Sequence, residues 1–207
     1  MAAVSRTPGQ TTADDPEQFR DPQALALCAA MAAIHRRGWC DGTGGNFSCV
    51  IAQQPLRLLM APSGVDKGSV RPEALLIVDG QGRASAETLL HLAIIESTGA
   101  GAVLHTHSQA GTLLSQHYGP GDPEQEASAL TIRGLEMLKG LEGVQTHATA
   151  IQVPILANDQ DLAALSGRAR PLLSQAPHGL LIAGHGLYAW GKDLSSANRH
   201  LEILEFL

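Results

Sequence analysis

The chain has 207 residues, of which 44% are apolar and 16% charged; 14 Lys and Arg face 20 Asp and Glu, for a net charge of −6. That is room for one domain with a full core, and too little charge for a disordered chain. The acidic balance and 3% aromatic content argue against nucleic-acid binding, which needs a cationic groove and stacking platforms.

Residues 1–20 are rich in Ser, Thr, Gln, Asp, Pro and Gly and lack apolar periodicity, so a mobile tail is expected there, followed by a single domain over 21–207. Asp21-Pro22 reads as an N-cap with proline at the first helical position, and the helix should run to about Arg37 and stop at Gly38. It contains the longest apolar run, the 11 residues Ala24 to Ile34. A membrane span needs about 20. The acidic residues ahead of the run (Asp14, Asp15, Glu17, Asp21) do not suit a signal peptide. Strands are expected at Phe47–Ile51, Leu56–Met60 and Leu75–Val78, with a turn at Asp79–Gly82. Ser85 can cap a helix over Ala86–Ser97. Ala102–His105 reads as a buried strand and Ala110–His117 as a helix, followed by a loop over Gly119–Glu126. A strand near Leu130–Ile132, a short helix near Leu135–Leu141 and a strand at Ile151–Ile155 come next. Asp159 or Asp161 starts a helix to about Ala169; strands at Leu180–Ala183 and Leu187–Trp190 flank a tight turn, and Asp193 caps a last helix. This alternation predicts a layered α/β fold with a mixed or antiparallel sheet. The three cysteines (Cys28, Cys40, Cys49) form no C-x-x-C pair and read as reduced thiols of a cytoplasmic protein.

Nine histidines and 22 glycines stand out, and both concentrate in a few motifs. His105-Thr106-His107 follows the apolar run Ala102–Leu104. Residues i and i+2 of a strand share a side, so both imidazoles can face one metal ion. Gly184-His185-Gly186 closes another apolar strand, where flanking glycines let the backbone turn sharply. Taken singly, each is an ordinary strand end or surface turn. Together, three histidines from two strand ends would make the open three-ligand site that catalytic zinc uses, and no cysteine lies beside them to suggest a closed structural site. Glu87 falls in the first turn expected for the helix after Ser85, where the helix dipole favours its charged form. Two glycine-rich loops, Gly42–Ser48 and Ala61–Gly68, can expose backbone N–H groups to an anion, and the second carries Lys67. With the helix start at Ser85 they could cradle a phosphate through Gly45, Asn46, Ser63, Gly64, Lys67 and Ser85. Glu136 precedes a short amphipathic run, where a solvent-facing carboxylate is the ordinary outcome. The other histidines (His35, His91, His117, His147, His178, His200) show no partner pattern and read as structural or solvated.

In this order, the Gly-Asn-Phe-Ser loop, Ala-Pro-Ser-Gly, Ser-Ala-Glu with His91, His-Thr-His-Ser and Gly-His-Gly make the chain from about Asp21 to Leu207 resemble the class II aldolase/adducin family. The resemblance implies a three-layer α/β/α sandwich around a largely antiparallel sheet, and a homotetramer with active sites near subunit boundaries. It also implies one zinc ion per subunit on His105, His107 and His185. The setting of Glu136 in Glu-Met-Leu-Lys-Gly is similar to the family's dehydratases, which act on a 2-keto sugar phosphate with a methylthio tail, and makes Glu136 the favoured acid/base. Glu87 matches the glutamate that serves as ligand or base in the sugar-phosphate aldolases (fuculose or ribulose type), the competing reading. A non-catalytic, adducin-like interaction domain is a third, disfavoured by the complete histidine set. Two departures touch the phosphate cradle: no serine stands at Gly44 or Gly45, and Ala86 replaces a second serine.

Overall fold

The computed structural model describes residues 10–11, 21–79, 85–122 and 125–207. The turn expected at 79–82 and part of the loop over 119–126 lie outside them, as does the expected tail apart from two residues. Those two, β1 (Gln10–Thr11), form an element that the sequence did not signal: they pair antiparallel with the edge of the sheet.

Helix α1 (Pro22–Arg36) begins where the Asp21-Pro22 pair places it, with the Asp21 carboxylate accepting the Gln23 N–H at 2.9 Å. Strands β2 (Asn46–Gln53), β3 (Leu56–Met60) and β4 (Leu76–Asp79) form an antiparallel meander. Helix α2 (Thr88–Thr98), strand β5 (Ala102–Thr106) and helix α3 (Gln109–Tyr118) follow. The long strands β6 (Ala127–Arg133) and β7 (Ala150–Leu156) flank a 3-10 turn at Glu136–Gly140. Helix α4 (Leu162–Leu173) is capped by Asp161 rather than Asp159, its carboxylate accepting the Ala163 and Ala164 N–H groups. Strands β8 (Gly179–Ile182) and β9 (Gly186–Gly191) and helix α5 (Leu194–Phe206) complete the chain.

One mixed sheet runs in the order β1-β4-β3-β2-β5-β9-β8-β7-β6, and every neighbouring pair is antiparallel except β7–β8. Alternation along β5 explains the layers. Ala102 and Leu104 face one side, with Leu187, Ala189, α1 (Leu27, Met31) and α5 (Ala197, Leu201). Val103 faces the other, with Tyr188, Trp190, α2 (Leu90, Ile94) and α4 (Leu165, Ala169). The fold is thus the α/β/α sandwich expected.

The sequence reading of Ser85 as a cap is corrected. Helix α2 starts after Glu87, which already has helical backbone angles, and no side chain caps it. Ser85 is instead tied to Thr88, whose hydroxyl accepts the Ser85 N–H at 3.0 Å, and to Asn46. A capping serine must keep its hydroxyl for the helix amides, whereas this hydroxyl accepts a side-chain amide.

Two β-strand ends and a helix start meet at one end of the central strands. Asn46 at the start of β2 pairs with His105 near the end of β5, and His105 pairs in turn with Tyr188 of β9. The packing at their opposite end is as close: a Cβ on Gly101 would run into the Lys192 carbonyl. Gly101→Ala is therefore expected to lower the unfolding free energy by about 2 kcal/mol. Gly167→Ala, in open space on α4, should raise it by up to about 1 kcal/mol. Denaturant melts of the two variants check this.

Candidate metal centre

Strand β5 delivers His105, and His107 follows one residue past its end on the same side. The β8–β9 turn brings His185 alongside, because Ile182 and Gly186 pair across the turn while Leu187 pairs with Thr106. The Gly186 position is required there, since a Cβ would strike the Thr106 carbonyl oxygen. The three Nε2 atoms converge: His105 lies 2.8 Å from His107 and 3.3 Å from His185. Glu87, just ahead of α2, adds Oε1 at 3.5 Å from His185 Nε2 and 3.8 Å from His105 Nε2. These four ligand atoms lie within 4.8 Å of one another.

The protonation states suit a cation. His105 Nδ1 faces the Leu187 carbonyl oxygen at 3.0 Å. That oxygen can only accept, so Nδ1 carries the hydrogen and Nε2 presents its lone pair to the cluster. Burial pushes His105 well below the ordinary histidine range, and burial together with the neighbouring His185 also lowers His107. Burial alone would raise the Glu87 carboxyl, but the hydrogen bond to His185, the nearby His105 and His91 and the Asn46 amide outweigh it and hold the group well below the usual carboxylate range. Neutral imidazoles and an ionised carboxylate are the donor set of a divalent metal ion.

Behind the cluster lies a buried polar row around His91, which the sequence reading left among structural or solvated residues. The Tyr188 ring stacks on His105 with centroids 3.9 Å apart and meets His91 edge-on at 5.8 Å; His91 Nδ1 is 2.8 Å from Ser48 Oγ. Only the β5–β9 register puts Tyr188 there, and no local motif announces that register.

Of the proposed cradle residues, Gly45, Asn46, Lys67 and Ser85 gather beside the histidines. Gly45, at φ +79°, is pressed against the His105 carbonyl, where a Cβ would sit 2.8 Å away. The Asn46 amide donates to Ser85 Oγ at 2.5 Å. Lys67 is 1% exposed and donates to the Thr43 and Val65 carbonyls at 3.1 and 3.0 Å, so it fastens the two glycine-rich loops together. Ser63 and Gly64 are exposed at the tip of the second loop. Glu136, by contrast, is outside the cluster of its own chain. It lies on the surface with a 71% exposed side chain, bound to Lys139 at 2.6 Å and facing His147 at 3.4 Å. A second grouping of Glu142, His178 and His200 also meets metal-ligand spacing. There the His200 ring is already engaged, by the Trp190 carbonyl at 2.7 Å and the Glu142 N–H at 3.3 Å.

Residues 25–207 match the family model described as "Class II Aldolase and Adducin N-terminal domain". The chain belongs to this family. Among its relatives, the methylthioribulose-1-phosphate dehydratase of Pectobacterium atrosepticum is 42% identical over 195 residues, covering 89% of this chain and 91% of that one. That of Methylococcus capsulatus is 41% identical over 196 residues, covering 90% and 91%. Among solved structures, L-fuculose-1-phosphate aldolase from Thermus thermophilus superposes with a TM-score of 0.70 at 26% identity, covering 90% of this chain and 92% of that one.

His105→Ala should abolish metal retention, measured by elemental analysis of protein purified in the presence of the ion; full retention would mean that the histidines are not the site. A pH dependence follows from His91, which burial pushes down to about 4 from 6.5. The unfolded chain takes up that proton first. Stability is therefore constant above about pH 6.5 and falls as the pH drops towards 4, by about 3 kcal/mol from this group. Denaturant titrations of metal-free protein at stepped pH should show this decline, and His91→Gln should make it shallower.

Proposed function

We propose that the chain is a methylthioribulose-1-phosphate dehydratase, a zinc-dependent hydro-lyase that converts 5-methylthioribulose 1-phosphate to 2,3-diketo-5-methylthiopentyl 1-phosphate in methionine salvage. The observation that carries this is the convergence of His105, His107 and His185 with Glu87, in a chain about two-fifths identical to relatives of that name.

The three histidines would hold the ion, one per subunit. When bound there, zinc supplies Lewis acidity that polarises a carbonyl and makes the neighbouring C–H more acidic. The protein supplies the rest. A carboxylate takes the C3 proton, the C4 hydroxyl departs with a proton as water, and the resulting enol tautomerises to the diketone. Glu136 is the favoured acid/base, with Glu87 as the alternative. Glu136 reaches none of His105, His107 and His185 in its own chain, so its role requires the site of a neighbouring copy, which fits a homotetramer with sites at subunit boundaries. Exposed Leu135 (41%) and Met137 (36%) on either side of it give that segment an apolar surface to cover. Glu87, ionised beside two ligand nitrogens, serves as a fourth ligand or as the base. The loops around Gly45, Asn46, Ser63, Gly64 and Ser85 take the phosphate, a remote handle that fixes the reacting carbons. Lys67 supplies positive charge to them from below.

A sugar-phosphate aldolase is the second reading, and one observation favours it: the carboxylate standing at the histidines is Glu87 rather than Glu136. Products separate the two. Zinc-loaded protein given methylthioribulose 1-phosphate should yield one product lighter by a water, whereas fragments from this or from fuculose or ribulose phosphates would establish the aldolase. Glu136→Gln should keep its zinc and lose about 100-fold or more in rate. Oligomers reassembled from mixed Glu136→Gln and His105→Ala chains should regain activity, because one intact site then draws on each parent.

A further inference from the structure

The metal ligands are held from behind by a residue at the far end of the chain. On the face of β5 away from the histidines, Thr106 Oγ1 donates to Glu205 Oε1 of α5 at 2.6 Å. The Ser108 hydroxyl faces the same carboxylate and favours its charged form. Thr106 and Ser108 are the two neighbours of His107 in the chain. One carboxylate therefore bonds the side chain before His107 and faces the side chain after it, while the His107 N–H itself is held by the Trp39 carbonyl at 2.8 Å.

The same anchor reaches His185. The Ser108 hydroxyl accepts the Gly111 N–H at 3.0 Å and caps α3. One turn on, Thr112 Oγ1 donates to the His185 carbonyl at 3.1 Å. Ser115 then takes the Gly184 N–H on its hydroxyl at 3.2 Å. Both loops that carry ligands beyond the sheet, 107–108 and 184–185, are thus fixed to one face of α3, and α3 is seated on Glu205 through Ser108. Burial raises the Glu205 carboxyl above its usual range, and the two hydroxyls offset this only in part.

We propose that Glu205 is a positioning residue for the metal centre, setting the spacing of His107 and His185 through Thr106, Ser108 and helix α3. This rests on the reading that the three histidines hold the metal. An outer partner of a ligand typically changes metal affinity by about 10- to 100-fold when it is removed. Glu205→Leu fills a similar volume but offers no acceptor. Glu205→Gln keeps one carbonyl oxygen for Thr106, and its amide can donate to the Ser108 oxygen.

The test is titration of the full-length metal-free protein with cobalt(II), followed by its visible absorption, at a temperature well below the melt of every variant. Wild type should bind one ion and His105→Ala none; equal binding by both would overturn the histidine site itself, independently of Glu205. Given that site, Glu205→Leu should bind cobalt about 10- to 100-fold more weakly with an altered spectrum, and Glu205→Gln should recover most of the affinity. A residue that only stabilised the fold would lower the melting temperature and leave the affinity and spectrum of the folded protein unmoved, and that result overturns the proposal. Should Glu205→Leu fail to fold, the paired Thr106→Val and Ser108→Ala substitution removes the same hydrogen bonds, and wild-type cobalt affinity in that variant overturns the proposal equally.

Discussion

Three imidazole nitrogens aimed at one point are the constraint on which this structure turns. Rings whose Nε2 atoms stand 2.8 and 3.3 Å apart direct lone pairs or N–H groups at each other, an arrangement that a shared cation relieves. Holding them there takes support from every layer. The Leu187 carbonyl fixes the tautomer of His105, and Tyr188 lies flat against its ring. Gly44 leaves room for His107, since a Cβ would sit 3.1 Å from its ring nitrogen, and Gly186 lets the His185 turn close against β5. Glycine content that looked like a compositional excess is in part the clearance needed around these rings.

Electrostatics decides what an acidic chain offers at the proposed phosphate cradle. The net charge is −6, and the end of the central strands gathers histidines, backbone amides, the ionised Glu87 and one buried cation, Lys67. Lys67 is not a free side chain reaching for a ligand. Burial pushes its ammonium group below the usual lysine range, and two carbonyls hold it under the glycine-rich loops. From there it can bias the site's potential without being displaced by solvent, because charges act over longer range where water is excluded.

Much of this was legible in the sequence. An apolar run ending in His-x-His can place two rings together only on a strand, and Asp21, Asp161 and Asp193 announce their helices because a short carboxylate at that position satisfies the first amides. What the sequence did not disclose depends on tertiary register. Ser85 has the composition of a cap, yet the approach of Asn46 from β2 claims its hydroxyl. Tyr188 becomes the floor beneath His105 only through the β5–β9 pairing, and Glu205 meets Thr106 across 99 positions of chain. Glu136 carries a dehydratase-like setting in sequence, but the chain places it at the surface beside Lys139, away from the histidines.

The central claim is that His105, His107 and His185 form one ligand set, and X-ray absorption spectroscopy of the zinc-loaded protein measures it most directly. The account predicts scattering from nitrogen and oxygen at about 2.0–2.1 Å, with the outer-shell pattern of three imidazoles. A sulfur shell at about 2.3 Å, or the signature of fewer than three imidazoles, would contradict it.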